Sequence, residues 1–108
     1  MSDQVIQIRK RIDALDKRLV RLLSGRARLA QRIGRLKEGA AYRPEREAQV
    51  LRGILAENRG PLPDAALERL FTEIMSACRA LEDSMSAAYL GPQGTFSQEA
   101  AAKHFGGL

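Results

Sequence analysis

Apolar residues recur along the first third of the chain at Val5, Ile8, Ile12, Leu15, Leu19, Leu22, Leu29, Ile33 and Leu36. From Ile8 onward the steps alternate between four and three, with one break. That rhythm, near 3.5 residues, belongs to a helix packed on other helices. Asp3 is placed to cap its start. Gly25 and Gly34 each cost about 1 kcal/mol relative to alanine inside a helix. The seam runs across both, so one long helix is predicted, with Gly39 as its C-cap. Pro44 opens a second helix, because its missing N–H is not needed at the first helical position. Glu45 and Glu47 suit that helix's positive end. Val50, Leu51, Ile54 and Leu55 form its buried face, and Asn58, Gly60, Pro61 and Pro63 end it in a loop. Asp64 then caps a third helix reaching about Ser86, with Leu67, Leu70, Phe71, Ile74, Cys78 and Leu81 inward.

Beyond Ser86 the texture changes. Ala88, Tyr89 and Leu90 read as a short strand, and 91–97 (GPQGTFS) as a glycine-rich turn. Gln98 to Phe105 reads as the start of another helix. A strand, a turn and a helix start have no sheet to join before Leu108, so residues 87–108 read as a linker and the truncated beginning of a second domain, after a first domain at 1–86.

Composition supports helices. Aromatic residues make up 5% of the 108, Trp is absent, and 29% are charged. Sheets favour aromatic and β-branched residues. The formal net charge of +5 suggests an anionic partner: nucleic acid, an acidic membrane surface or a small polyanion. One cysteine, Cys78, excludes an internal disulfide, and a single His104 beside it makes no usual zinc site. With no apolar run near the roughly 20 residues of a membrane span, and no signal-peptide core, a cytoplasmic protein without a membrane role is expected.

The break in the first seam is Arg26. The rhythm reserves that position for an apolar residue, and a buried cation needs a partner. A structural ion pair with an acid on another helix is one explanation; an anionic ligand is the other. Lys37 comes eleven residues later, on nearly the same face and about 16 Å along the axis. Arg9 lies about 25 Å before Arg26 and about 100° around the helix, so it reaches the same pocket only from a second chain packed antiparallel. Arg46 and Glu47 on the second helix, and Cys78 and Glu82 on the third, border apolar faces. Read singly, each has a plainer explanation: a solvated helix end for Lys37, a surface arginine for Arg9, a solvated first turn for Arg46 and Glu47, a small core residue for Cys78, and an acid at the stripe's edge for Glu82. Together they describe a site for a small anion between helices.

Those residues resemble a known family. The stretch 8–16 (IRKRIDALD) looks like the N-terminal signature of the all-helical chorismate mutases, and Arg26, 34–37 (GRLK), 42–47 (YRPERE), 69–71 (RLF) and 73–75 (EIM) follow in that family's order. Residues 88–97 (AYLGPQGTFS) resemble the opening of prephenate dehydratase, which follows the mutase in bifunctional enzymes of phenylalanine synthesis. The resemblance implies an all-α chain of three helices, one long and two shorter, forming an intertwined homodimer. It implies rearrangement of chorismate to prephenate with no cofactor and no metal, and no dehydratase activity from so short a tail. It assigns Arg9 of the partner chain, Arg26, Arg46, Glu47 and Cys78 to substrate binding, and Lys37 and Glu82 to the ether oxygen. Many relatives carry an acid where Arg43 stands here, as a second contact to the ring hydroxyl. An ionised Glu82 has no proton to give that ether oxygen, so activity falling as pH rises is expected unless burial keeps Glu82 neutral. The alternatives are a basic helical dimerisation or nucleic-acid-binding module and an isochorismate lyase of the same fold. Against the first, phosphate-binding cations belong on an exposed basic face, not in an apolar seam.

Overall fold

The computed structural model describes residues 2–36 and 43–89, which form three helices: α1 (Asp3–Leu36), α2 (Pro44–Glu57) and α3 (Asp64–Tyr89). No strand occurs among the described residues. Helix α1 holds as one piece of 34 residues through Gly25 and Gly34, as the seam required. Its cap is Ser2, not Asp3. The Ser2 hydroxyl accepts the Val5 N–H at 3.3 Å and its carbonyl accepts the same N–H at 3.1 Å. Asp3 instead sits in the first turn, where its charge favours the dipole. The expected cap Gly39 lies outside the described residues.

Pro44 opens α2 as expected, with Glu45 and Glu47 in the first turn. The α2–α3 loop is organised by Asn58. Its amide donates to the Leu62 carbonyl at 2.9 Å and to the Asp64 carboxylate at 2.7 Å, while its side-chain oxygen accepts the Gly60 N–H at 2.9 Å. Gly60 needs its freedom here, with φ at 73°. Asp64 therefore serves the loop, not the helix. The Pro63 carbonyl begins α3 by accepting the Ala66 and Leu67 N–H groups.

Helix α3 continues through Tyr89, so Ala88 and Tyr89 are helical and not the strand their residue types suggested. A strand needs a neighbouring strand to satisfy its backbone, whereas a helix satisfies its own. Leu90, the 91–97 turn and the helix start at 98–105 lie outside the described residues.

Helix α3 packs against both α1 and α2, and among the described residues α1 and α2 do not pack on each other. The core is thin and built from small residues: Ala30, Met75, Cys78, Ala80 and Ser86 are buried. At its centre, α1 and α3 touch at Gly34. A Cβ there would collide with the Glu82 carbonyl oxygen and come within 2.8 Å of the Met85 Cβ. Ser86 uses that approach to donate a buried hydrogen bond to the Gly34 carbonyl at 3.0 Å. The glycine that looked like a tolerated cost is what lets the two backbones meet.

Most of the α1 seam is not covered. Ile8, Ile12, Leu15 and Leu19 are each about half exposed, and Leu22 is 66% exposed. Leu70, expected inward on α3, is 53% exposed. The radius of gyration is 17.7 Å, against about 13 Å for a compact chain of roughly 100 residues. The excess is the projecting N-terminal half of α1.

Candidate functional site

A cavity of about 440 Å³ lies where the three helices meet. That size is ordinary for a small-molecule site. Each helix contributes four residues spaced i, i+3, i+4 and i+7, the spacing of one helical face. From α1 come Arg26, Leu29, Ala30 and Ile33; from α2 and the residue before it, Arg43, Arg46, Glu47 and Val50; from α3, Met75, Cys78, Arg79 and Glu82. The floor is apolar, and the walls carry four guanidinium groups against two carboxylates.

Five residues singled out in the sequence line this one cavity: Arg26, Arg46, Glu47, Cys78 and Glu82. Arg26 is half-buried and, among the described residues, makes no hydrogen bond or ion pair. The structural ion pair offered as its plainer explanation is thus not found there. Cys78 is buried in the wall, with 7% of its surface exposed. Arg46 points its guanidinium along its own helix, where Nη1 donates to Gln49 Oε1 at 3.1 Å. Glu47 is held across the helix interface by Arg79, whose Nη1 donates to Oε2 at 2.7 Å.

Of the two remaining expected residues, one is placed by the structure. Arg9 sits on the exposed N-terminal half of α1 and does not line the cavity. Lys37 lies outside the described residues. Two residues the sequence reading did not assign to the site line it, Arg43 and Arg79. Arg79 had a signal available: it falls on the face set by Met75, Cys78 and Glu82.

The cavity can hold a small anion. Its cations converge from three elements, and the apolar floor lowers the local dielectric, which strengthens each charge–charge contact. Among the described residues no group of three or more His, Cys, Asp or Glu side chains is placed to hold a metal ion, and no helix is long and apolar enough to cross a membrane.

A three-helix chain with a cationic pocket between its helices defines an all-helical domain for small anions. Comparison with known proteins narrows the class. The family model for chorismate mutase type II matches residues 8–83, and the chain belongs to that family. It is 53% identical over 97% of its length to the bifunctional chorismate mutase/prephenate dehydratase of Stutzerimonas stutzeri, and 54% identical over 98% to that of Neisseria gonorrhoeae. The chain spans about 31% and 30% of those relatives' lengths. A solved structure of chorismate mutase from Thermus thermophilus superposes with a TM-score of 0.71 at 41% identity, covering 74% of this chain and 94% of that one.

Proposed function

We propose that this chain rearranges chorismate to prephenate, and that it does so as a cytoplasmic homodimer. The observation that carries the reading is Arg26: a half-buried guanidinium with no partner among the described residues, facing a cavity of suitable size beside three more arginines. A buried cation in that state is costly unless an anion arrives. A small dicarboxylate supplies one.

The rearrangement is intramolecular. One C–O bond breaks as one C–C bond forms, and the protein's work is to restrain and to stabilise. Arg26, with Arg46, fixes the carboxylates so that a flexible dianion is held in its compact reactive shape. Negative charge builds on the ether oxygen as the C–O bond stretches. Lys37 would donate to it, with Glu82 beside it, a contact worth more in a water-poor cavity than in solution. Glu47 would accept the ring hydroxyl's hydrogen bond, and Cys78 would line the wall between Arg26 and Glu82.

Arg9 enters from the second chain. Support for the dimer is the uncovered seam of α1, half-exposed through Ile8, Ile12, Leu15 and Leu19. A contiguous apolar stripe of that length marks an interaction surface, and a 3.5-residue period suits another helix. Residues 1–86 form the mutase domain in this reading, with α3 running three residues past that division. Residues 87–108 are a linker and the start of a dehydratase domain in this reading, supported by the match to bifunctional relatives across nearly the whole chain.

The test is the loss of chorismate absorbance on adding purified protein, with prephenate identified as product, beside an Arg26→Ala control. Turnover abolished in the control is the expected outcome. No turnover from a folded dimer at mildly acidic to neutral pH would leave a binding module in its place.

A further inference from the structure

Glu47 and Arg79 face one another across the α2–α3 interface, and their pair ties the first turn of α2 to the cavity wall on α3. Glu47 has competing cations. Arg43 stands four residues earlier, at the residue just before α2, and Arg46 is its neighbour in sequence; both line the same cavity. A carboxylate on this short helix could fold back onto Arg43, as i, i+4 pairs do. Arg79 prevents that by taking Oε2 at 2.7 Å in a charge-assisted bond. One carboxylate oxygen is then anchored by a residue from another helix, which leaves the other oxygen able to accept a hydrogen bond.

We propose that Arg79 is a positioning residue that sets the site's preference for a substrate bearing a ring hydroxyl, acting through Glu47. This rests on the site binding a hydroxylated ring dicarboxylate, as proposed above. Arg79 does not touch the substrate in this role. Its effect comes from where it holds the Glu47 oxygen. A site built to pair a substrate hydroxyl discriminates against an analogue lacking that donor, because its own polar group is left unpaired. Loosening Glu47 lets it find another partner in the cavity, and the discrimination falls.

The experiment compares kcat and KM for chorismate and for its ring O-methyl ether, in wild type, Arg79→Leu, Arg79→Lys, Glu47→Gln and the Arg79→Leu/Glu47→Gln double variant. Arg79→Leu is expected to lower the preference for the free hydroxyl about tenfold, mainly through KM, the loss a mispositioned polar contact gives. Arg79→Lys, which keeps a cation for Glu47, should stay within about threefold of wild type. The double variant should lose no more preference than Glu47→Gln alone, since both changes remove one interaction. Should Arg79→Leu not fold, Arg79→Met serves in its place with the same expectation.

An Arg79→Leu variant with unchanged hydroxyl preference would overturn the role, whatever its thermal midpoint. Independent, multiplying losses in the double variant would also overturn it, since Arg79 would then contact the substrate itself. Wild-type protein that turns over neither compound would instead remove the mutase reading, and the Arg79 role with it. That result is seen before any variant is compared.

Discussion

The two halves of α1 carry the same apolar rhythm and meet different fates. From Ser24 onward the helix turns half-buried: Ala30 and Gly34 are covered by α3, and Arg26, Leu29 and Ile33 face the cavity. Before Ser24 every described residue is exposed. A helix with one continuous seam is thus packed by the other described helices over less than half its length. The periodicity of a seam states that it will be covered; it does not state by whom. Burial of that surface is worth roughly 25 cal/mol per Å², which is too much to leave in water along a helix of this length. The second half builds a site, and the first half projects away from it, with Arg9 near its end.

The strongest way to break this comparison is to ask whether the two halves belong to the same active site in different chains. Arg9→Ala and Arg26→Ala should each lower kcat/KM by about 100-fold or more, the loss expected when a group that positions the substrate is removed. Mixed after subunit exchange, the two inactive variants should regain about a quarter of wild-type activity, because half of the dimers then hold one intact site of two. Steady-state absorbance assays of the mixture against each parent decide it. Two parents that stay inactive when mixed, despite proven exchange, would put both arginines in one chain's function and contradict the helix geometry.

The second test acts on the seam alone. Leu15→Glu and Leu19→Glu alter residues that are 54% and 55% exposed in the single chain. A surface substitution in a monomer is expected to change stability by no more than about 0.5 kcal/mol. In a dimer the same change buries a carboxylate and drives the chains apart. Sedimentation equilibrium should show dissociation, with activity lost at low protein concentration and partly regained at high concentration.

How much of this was legible in the sequence follows the same division. The three helices, the Pro44 start and the convergence of Arg26, Arg46, Glu47, Cys78 and Glu82 could be read from spacing and resemblance, because periodicity fixes which residues share a face. Caps were read less well. Asp3 and Asp64 have the right chemistry, but Ser2 stands one residue earlier and Asn58 recruits Asp64 into the loop. Those outcomes depend on competition between neighbours, which composition does not rank. Arg79 was missed because attention fell on the apolar stripe of α3, and a charged residue one step from Cys78 reads as its solvated flank. Gly34 was misjudged for a related reason: its cost is local, and its benefit appears only when α3 arrives.

Gly34→Ala sharpens the account of the packed half. A methyl group there meets the Glu82 carbonyl oxygen, which is backbone and cannot rotate aside. Overpacking of this kind costs about 1–3 kcal/mol, and on a domain of this size the thermal midpoint should fall by roughly 4–8 °C per kcal/mol. Gly25→Ala is the matched control, with nothing within 4 Å of its Cβ. It should gain up to about 1 kcal/mol from helix propensity. Calorimetry of the pair separates the close approach from the ordinary cost of glycine in a helix.

A smaller effect concerns Glu82, which shares its cavity with Arg26, Arg43, Arg46 and Arg79. Glutamine always carries an N–H to donate, whereas a carboxyl donates only when protonated. Glu82→Gln, which keeps a donor, should therefore retain more kcat than Glu82→Ala, which has none. An alanine variant as active as the glutamine variant would take Glu82 away from the ether oxygen.

The smallest change is expected at Cys78. Its side chain is buried in the cavity wall, and among the described residues it lies between the apolar Met75 and the charged Arg79 and Glu82. Serine has nearly the same shape and brings a stronger donor, so it needs a partner that sulfur did not. The cavity beside it can supply water or substrate oxygen, which holds the cost of an unpaired hydroxyl to about 1 kcal/mol or less. Cys78→Ser should keep kcat/KM within about threefold of wild type, a change equivalent to less than one ordinary hydrogen bond. Cys78→Leu, by contrast, would fill the wall and raise KM without touching any charge. If the serine variant instead fell as far as the leucine variant, the thiol itself would be doing chemistry at this wall, and the apolar floor would have to be counted as part of the reacting surface.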